Sequence, residues 1–407
     1  MRTNISLEEA VEVMKQLTHP LEECETLPLK DATNRILAHD VLAPLSQPIF
    51  SRSAVDGYAL RHQDSVGADE TPIHLQVIDT VYAGGYCDKM VGHKEAVHIM
   101  TGAPIPQGVD AVIRLEDTND HPDHLLIQKE LRPLENICLK GEDFKEGTRL
   151  LKKGDRLDYV RLALASSVGI NCLEVVRKPR IGLCISGDEV TPPGEPLTPG
   201  KIYDSNFTLL YQRLKQVGYE PVKTAYVQDD ASYCAKTLSD MAKDCDLIIT
   251  TGGVSVGDKD ILHEALDYAG AEKIFWRVLM KPGTPALFSL LQDTPVLSLS
   301  GNPFAASATF ELLAMPLLGY LAKDRHVVPI PVTGILETSF PKVSDKRRMV
   351  RANYHQGRVS IPNGMHSSGA ISTLMDCNCL LDIPAHSPAC QCQDQVTVWL
   401  LGGYTYE

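Results

Sequence analysis

The 407-residue sequence lacks an apolar run long enough to cross a lipid bilayer. Its most apolar stretch, near 312–322, is interrupted by Pro316 and Gly319. No basic segment followed by an apolar core opens the chain, so no secretory signal is apparent. These absences predict a cytoplasmic protein that has no association with membranes.

Positive charge is also scarce, because 39 lysines and arginines face 52 acidic residues and the formal net charge is −13. Nucleic-acid-binding proteins and proteins of anionic membrane surfaces normally carry a basic face. The balance therefore argues against both classes. An anionic ligand would have to be bound by a local cluster of cations, by helix N-termini or by a metal ion.

The cysteines do not form a disulfide pattern. There are 11 of them, an odd number scattered along the chain, which is typical of free thiols in a reducing compartment. Two Cys-x-Cys pairs, Cys377/Cys379 and Cys390/Cys392, are separated by ten residues. Structural zinc sites usually have two to four residues between paired cysteines, so free thiols are favoured and a metal site stays open.

The length is enough for about two to four domains. From Lys178-Pro179 to about residue 326, strand patterns alternate with helix patterns, which predicts a mostly parallel sheet with helices on both faces. The short strand patterns after residue 327 predict a small β barrel or sandwich. The fold class is therefore α/β and multidomain.

The stretch 245–260 combines a buried strand, a glycine turn and a helix. The apolar run Leu247–Thr250 predicts the strand, Gly252-Gly253 the turn, and the helix that follows is closed by Gly270. This arrangement is typical of a ligand-binding corner at the carboxyl edge of an α/β sheet. It matches neither the GxGxxG nor the GxxxxGK[ST] pattern, so it indicates neither a dinucleotide nor a P-loop nucleotide.

Polar residues follow most of the predicted strands of this region, and parallel strands end at one edge of a sheet. The cations Lys281 and Arg277, and a helix capped by Asn302 that starts at Pro303, would lie at the same edge. Together they predict a phosphorylated ligand held with Mg²⁺. Each residue also has a purely structural alternative, such as a helix cap for Asp229, a turn for Glu189 and a solvated side chain for Lys281. The strand-end residues are Ser186-Gly187-Asp188-Glu189, Asp229-Asp230, Thr251-Gly252-Gly253-Val254-Ser255 and Asp260.

Eight motifs, in order, resemble the MoeA/gephyrin E-domain family, the molybdopterin molybdenumtransferases. They cover nearly the whole chain: Ser53-Ala54-Val55-Asp56-Gly57-Tyr58-Ala59, Met100-Thr101-Gly102-Ala103-Pro104, Gly141-Glu142-Asp143, Ser186-Gly187-Asp188-Glu189, Tyr203-Asp204-Ser205-Asn206, Thr251-Gly252-Gly253-Val254-Ser255-Val256-Gly257, Lys281-Pro282-Gly283 and Ser300-Gly301-Asn302-Pro303.

The resemblance implies four domains and a homodimer. The domains would be an elongated domain (1–45 and 145–177), an inserted β domain (46–144), a MogA-like molybdopterin-binding α/β domain (178–326) and a C-terminal β domain (327–407). Each active site would lie between the α/β domain of one subunit and Asp56 and Thr101 of the other. Further implied partners are a MogA-like adenylyltransferase and recipient molybdoenzymes.

The implied reaction takes adenylylated molybdopterin and molybdate and releases AMP. In our hypothesis Asp229 and Asp260, with Glu189 nearby, hold Mg²⁺ at the pyrophosphate. The cations that neutralise oxyanions are Lys281, Arg277 and Arg351, and the molybdate side is lined by Asp56, Thr101 and Ser368. The residues expected to bind the pterin cofactor are Ser186, Gly187, Asp188, Asp204, Ser205, Asn206, Gly252, Gly253, Ser255, Gly283, Gly301, Asn302 and Pro303.

Two positions depart from the family pattern, since Thr284 stands where many relatives have lysine and Ser300 where they have proline. The loss of one cation would leave more of the anion binding to Lys281 and Arg277. Two other functions stay open: a MogA-like adenylyltransferase, which the added β-rich regions disfavour, and a peptide-binding scaffold, which the acids Asp56, Asp229 and Asp260 disfavour. The sequence does not decide between molybdate and tungstate.

Overall fold

The structure is a computed structural model that describes residues 1–121, 124–254, 261–364 and 366–402. Asp260 and Ser255 therefore lie outside the described residues. The chain divides into two compact units. The small unit contains residues 27–33 and 39–173, and the large unit contains residues 1–26, 34–38 and 174–407.

The small unit is built on a six-stranded sheet in which the neighbours pair antiparallel, except for one parallel pair formed by Ile73–Val81 and Glu95–Ile99. Alternate residues of a strand point to opposite faces of the sheet, so one strand can contribute to an apolar cluster on each face. Tyr58 and Leu60 pack into one apolar cluster and Ala59 into the other. The strand order is Ala111–Arg114, Gly57–Leu60, Glu95–Ile99, Ile73–Val81, His124–Ile127 and Thr118–His121.

The rest of the small unit consists of short ribbons and one helix. Val41–Leu42 pairs with Arg149–Leu151, and Arg52–Ser53 pairs with Ile137–Cys138. The helix Tyr159–Ser167 begins after Asp158, whose carboxylate accepts a hydrogen bond from the backbone N–H of Arg161, as an N-cap does. Single 3₁₀ turns lie at Leu29–Asp31, His62–Ser65 and Leu115–Asp117. The chain passes between the units in the paired strands Cys24–Pro28 and Cys172–Val176.

The large unit contains a seven-stranded sheet with four adjacent parallel strands. The hairpin Leu287–Leu291 and Thr294–Leu299 adds antiparallel pairs, and the N-terminal strand Arg2–Ile5 forms one edge. The order is Arg2–Ile5, Glu272–Val278, Leu287–Leu291, Thr294–Leu299, Leu247–Thr251, Ile181–Ser186 and Pro221–Val227. The predicted mostly parallel sheet is therefore confirmed.

Helices cover both faces of this sheet, because the buried strands are apolar on both sides. In the strand Ile181–Ser186, for example, Leu183 packs into one apolar cluster and Cys184 into the other. The first cluster also receives the helices Leu7–Gln16, Asn206–Gln216 and the helical stretch 303–321, and the second receives Ala231–Ala242 and Leu262–Tyr268.

The helical stretch Pro303–Leu321 consists of the α-helices Pro303–Thr309 and Met315–Leu321 and a π-helical segment, Phe310–Ala314, between them. It has the length and the composition of a membrane span, so the expectation that no apolar run is long enough to cross a bilayer was wrong. Most of the stretch is buried inside the large unit. Its apolar residues therefore form the core of the unit.

The C-terminal strands form a closed barrel. Arg347–His355 pairs with both Arg358–Ser360 and Cys379–Ile383, and this double pairing closes the sheet on itself. The strands Ile330–Leu336 and Gln395–Leu400 complete the barrel, and Met280–Lys281 adds a parallel pair outside it. A closed barrel leaves no open sheet edge. Smaller elements of the large unit are Val190–Thr191, Ile202–Tyr203, Arg325–Val327 and Ser372–Leu374.

Candidate active site at the carboxyl edge of the sheet

The Gly252-Gly253 turn begins where the strand Leu247–Thr251 ends. Gly252 has a φ of +92°, and a Cβ atom there would lie 2.1 Å from the carbonyl oxygen of Ser186. The positive φ disfavours any L-residue at this position, and the contact with the Ser186 carbonyl oxygen excludes a side chain unless the backbone moves. A Cβ on Gly301 would lie 3.5 Å from the Cα of Gly252. The glycines thus allow three strand ends to approach one another.

A cleft of about 930 Å³ opens beside these glycines, entirely within the large unit. Its walls are the Gly252-Gly253 turn, the 281–285 loop, the start of the helix Pro303–Thr309 and two loops of the barrel. This size is in the range of sites that bind small molecules or cofactors. The predicted binding residues that line it are Ser205, Gly252, Gly253, Gly283, Gly301, Asn302 and Pro303, together with Glu189, Lys281 and Ser368.

Two lysines line the cleft. Lys281 was predicted from the sequence, whereas Lys346 was not. Lys346 directly precedes the strand Arg347–His355, and the pairing of Met280 with Arg347 joins that strand to the segment that carries Lys281. This contact connects residues more than sixty positions apart, so no local signal in the sequence could have found it.

Arg351 has a different environment from the one expected of a ligand-binding cation. Its side chain is 0% exposed, and its guanidinium carbon lies 3.7 Å from the ring centre of Phe304. The guanidinium donates hydrogen bonds to the carbonyl oxygens of Ala370 (2.7 Å) and Ser367 (2.8 Å) and to the hydroxyl of Thr373. Burial lowers the pKa of Arg351. Arg351 therefore holds the loop that carries Ser368.

The loop of Ser368 is also attached to the helix that borders the cleft. The carbonyl oxygen of Ser368 accepts a hydrogen bond of 2.9 Å from the backbone N–H of Phe304. Asn302 occupies the N-cap position and Pro303 the first helical position, as predicted, but the Asn302 side chain makes no capping hydrogen bond. The backbone N–H of Phe304 at the start of this helix is thus used within the protein, because it donates to Ser368.

Arg277 is not among the residues that line the cleft. Its guanidinium carbon lies 5.0 Å from the ring centre of Trp276, and the Trp276 indole N–H donates to the carbonyl oxygen of Val254 (3.2 Å). Arg277 is therefore packed next to the continuation of the glycine turn. Its predicted role in binding oxyanions stays a prediction.

The acids of two neighbouring strand ends contact each other. The backbone N–H of Asp229 donates to Asp188 Oδ1 (3.0 Å), and that of Asp188 donates to Asp229 Oδ2 (3.3 Å). Asp230, and not Asp229, caps the helix Ala231–Ala242, because its Oδ1 accepts from the N–H of Tyr233. The structural alternative for Asp229 as a helix cap is therefore wrong, and its carboxylate lies at the sheet edge with Asp188.

Asp204 directly precedes Ser205, the N-cap residue of the helix Asn206–Gln216. Its carboxylate accepts hydrogen bonds from the backbone N–H of Asn206 (2.8 Å) and from the hydroxyl of Tyr226 (2.9 Å). Burial, and then this bond to Asp204, raises the pKa of Tyr226. The Asn206 amide donates to the carbonyl oxygen of Gly301 (2.8 Å). These contacts fix the glycine loops in place.

Two buried polar atoms near the glycine turn have no partner among the residues that the structure describes. They are the Ser186 hydroxyl and Asn206 Oδ1, on side chains that are only 4% and 7% exposed. Leaving a buried polar atom without a hydrogen bond costs folding free energy. We therefore expect a ligand or a water molecule to supply the hydrogen-bond partner of these two atoms. Both residues line a narrow pocket of about 70 Å³ together with Glu189 and Val190.

Asp56 and Thr101 lie together in the small unit, as the motifs predicted. Asp56 Oδ1 accepts hydrogen bonds from the Thr101 backbone N–H (2.7 Å) and from its hydroxyl (2.8 Å), and both residues are exposed. These two bonds lower the pKa of Asp56, so its carboxylate is charged at neutral pH.

The four C-terminal cysteines do not form a group with the spacing of a metal site within the described part of the chain. Cys379 is part of the apolar core of the barrel, and burial raises its pKa to about 12. Cys377 is buried and donates to the carbonyl oxygen of Thr373, and Cys392 is exposed. All four are free cysteines rather than disulfide partners, and the preference for thiols over a metal site stays a prediction.

The fold and the cleft define a multidomain α/β protein with a candidate ligand-binding cleft where its parallel strands end. Three family descriptions match successive parts of the chain: the MoeA N-terminal region (domain I and II) over residues 5–169, the probable molybdopterin binding domain over 182–320, and the MoeA C-terminal region (domain IV) over 333–401. The chain belongs to the MoeA family.

Curated relatives agree over nearly the full length. The chain is 34% identical over 393 residues to a molybdopterin molybdenumtransferase of Bacillus subtilis, covering 94% of this chain and 91% of that protein. It is 33% identical over 411 residues to a protein of the same name from Staphylococcus epidermidis, covering 100% and 98%. These relatives confirm the predicted family and the predicted class of transferase.

The solved structure of the molybdopterin biosynthesis MoeA protein from Pyrococcus horikosii has a TM-score of 0.87 to this chain. It is 30% identical in sequence, and the match covers 98% of this chain and 100% of that one. The predicted multidomain α/β fold is thereby confirmed. The boundaries of the four domains and the roles of the individual site residues stay predictions.

Proposed function

We propose that this protein transfers molybdenum from molybdate to adenylylated molybdopterin and releases AMP. The proposal is carried by the 930 Å³ cleft, in which glycine turns, a lysine pair and the carboxyl ends of parallel strands meet. It is supported by the name that the curated relatives share, molybdopterin molybdenumtransferase.

The electrostatics of the cleft suit this reaction. Molybdate is a dianion and the second substrate carries a pyrophosphate, so their approach is opposed by Coulomb repulsion. Cations fixed at a partly enclosed site offset that repulsion without having to reorganise. Lys281 would provide one such charge, and Ser368, on the loop held by Arg351, would provide a polar contact on the opposite wall.

The acids at the sheet edge fit a magnesium ion that is bound together with a substrate. Magnesium is held by one or two carboxylates plus phosphate oxygens and water, and so does not need a complete protein cage. Asp229 and Glu189 at neighbouring strand ends offer such oxygens, and Asp260, which lies outside the described residues, would add a third. The ion would neutralise the pyrophosphate and stabilise the departing AMP.

We further propose that the protein works in the cytoplasm as a homodimer, in which Asp56 and Thr101 of one subunit complete the site of the other. The support is that these two residues form an exposed, hydrogen-bonded and charged pair. An adenylyltransferase that makes the substrate and molybdoenzymes that accept the product would be its partners.

The chain offers a matched pair of variants that tests the role of the acids. Asp229→Asn should abolish AMP release, because it removes a charge proposed to hold magnesium. Asp230→Asn makes the same chemical change one residue away, but asparagine caps helices about as well as aspartate, so this variant should keep its activity. AMP release from adenylylated molybdopterin, measured at several Mg²⁺ concentrations, distinguishes them. Equal activity of the two variants would remove Asp229 from the mechanism.

A further inference from the structure

The positive charge of the cleft comes from two lysines. Among its described lining residues, Lys281 and Lys346 are the cationic side chains, and both are exposed. Neither ammonium group has an acceptor among the residues that the structure describes. An ammonium group that has no acceptor within the protein is available to hydrogen-bond a ligand.

Two other candidate donors, Arg351 and Thr284, already hydrogen-bond within the protein. The Arg351 guanidinium is fully buried and donates to Ala370, Ser367 and Thr373. The Thr284 hydroxyl lines the cleft but donates to the carbonyl oxygen of Met280 at 2.6 Å. The donors of these contacts are used within the protein and are not offered to a ligand in the cleft.

Lys346 is held at the rim by the fold. Its backbone N–H donates to the Ser344 hydroxyl (3.1 Å), and the next residue, Arg347, pairs with Met280, the neighbour of Lys281. Lys281 belongs to this strand pair and Lys346 directly precedes it, so the two lysines lie on neighbouring segments that line the cleft. Asp345 lines the same wall, so removal of the Lys346 charge would leave that wall negative.

We propose that Lys346 is an oxyanion-binding residue that acts together with Lys281. The ligand group is a tetrahedral oxyanion, either molybdate or a phosphate of the adenylylated pterin. This assignment rests on the proposed function for the identity of the ligands, but it can be tested by binding alone.

The test measures the binding of molybdate, and separately of inorganic phosphate, to the full-length protein by calorimetry at constant ionic strength. Lys346→Ala should weaken the binding of one or both anions by about three- to tenfold, the loss expected for one cation at a partly solvated site. Lys346→Arg, which keeps the charge, should retain binding. Lys342→Ala removes an exposed lysine of the same loop that does not line the cleft, and it should have no effect.

The two sources of the oxyanion are then separated by turnover. A higher KM for molybdate assigns Lys346 to molybdate, and a higher KM for the adenylylated pterin assigns it to the phosphate. Unchanged binding of both anions in Lys346→Ala, or an equal loss in Lys342→Ala, would overturn the proposal. Absence of AMP release from the wild-type protein would refute the proposed function instead, and the binding result would still decide the role of Lys346.

Discussion

Replacing Gly252 by alanine tests whether the close approach of the strand ends is required. The new Cβ would lie 2.1 Å from the carbonyl oxygen of Ser186, which is backbone and cannot rotate away. The residue would also have to keep a φ of +92°, where L-residues are strained. Gly252→Ala must therefore displace the strand Ile181–Ser186 from the glycine turn.

The expected cost has two parts. An L-residue in the left-handed region costs about 1–2 kcal/mol, and forcing extra volume into a packed contact costs about 1–3 kcal/mol. The sum, about 2–5 kcal/mol, is a large share of the roughly 5–15 kcal/mol by which proteins are stable. We also expect loss of turnover, because the displaced atoms border the cleft.

Tryptophan fluorescence provides a selective assay. The chain has two tryptophans, Trp276 and Trp399, and both belong to the large unit. Urea unfolding followed by this signal therefore reports on the unit that contains the cleft. The free energy of unfolding of Gly252→Ala should fall by about 2–5 kcal/mol relative to the wild type.

Gly218→Ala is the matched control. Gly218 has nearly the same φ, +93°, but no heavy atom would lie within 4 Å of its new Cβ. This variant should show only the conformational cost, about 1–2 kcal/mol, and should remain active. Equal destabilisation of the two variants, or an active Gly252→Ala, would refute the reasoning about close approach.

Two further predictions concern buried charges of the large unit. Glu311→Gln should lower the free energy of unfolding of the large unit, measured by urea titration, by about 3 kcal/mol. The reason is that the positive charge of the buried Arg213, whose Nε lies 2.6 Å from Glu311 Oε1, would lose its compensating carboxylate. Asp246→Asn should flatten the dependence of stability on pH below 4. Burial alone would raise the pKa of Asp246, but hydrogen bonds from Arg177 and Arg180 hold it at about 2, against 3.8 when free. The stabilisation, about 1–2 kcal/mol, is complete above pH 3.8 and is lost as the pH falls towards 2.

Each of these predictions has its own control. Asp240→Asn breaks an exposed ion pair with Lys243 and should cost less than about 1 kcal/mol. A cost for Glu311→Gln as small as that would contradict the account of the buried pair. For Asp246, wild type and variant should differ in stability at pH 6 and converge near pH 2. Curves of stability against pH that run parallel for the wild type and the variant over this range would contradict the assigned role of Asp246.

The elements that follow from local patterns could be predicted from the sequence. The run Leu247–Thr250, the glycines after it and the alternation of strands and helices predicted the parallel sheet and its ligand-binding edge, because period, turn chemistry and caps act over a few residues. The motif order predicted the family. Asp56 and Thr101 were expected to act together, and they share hydrogen bonds.

The features that were missed depend on contacts between distant segments. Arg2–Ile5 joins the edge of the large sheet by pairing with Glu272–Val278, and Lys346 reaches the cleft through a strand pair of the same kind. Arg351 was expected to bind an oxyanion directly, yet it is buried against Phe304. Exposure of a cation is decided by tertiary packing, which the spacing of residues in a motif does not encode.

The central claim is that two mutually repelling anions meet in the cleft and that metal transfer is coupled to the release of AMP. The most direct test incubates the purified protein with adenylylated molybdopterin and Mg²⁺, with and without molybdate, and quantifies AMP and protein-bound molybdopterin that carries molybdenum. The account predicts that AMP appears only with molybdate and in equal amount to the molybdenum transferred. AMP release that is the same with and without molybdate, or molybdenum transfer without the release of AMP, would contradict the account.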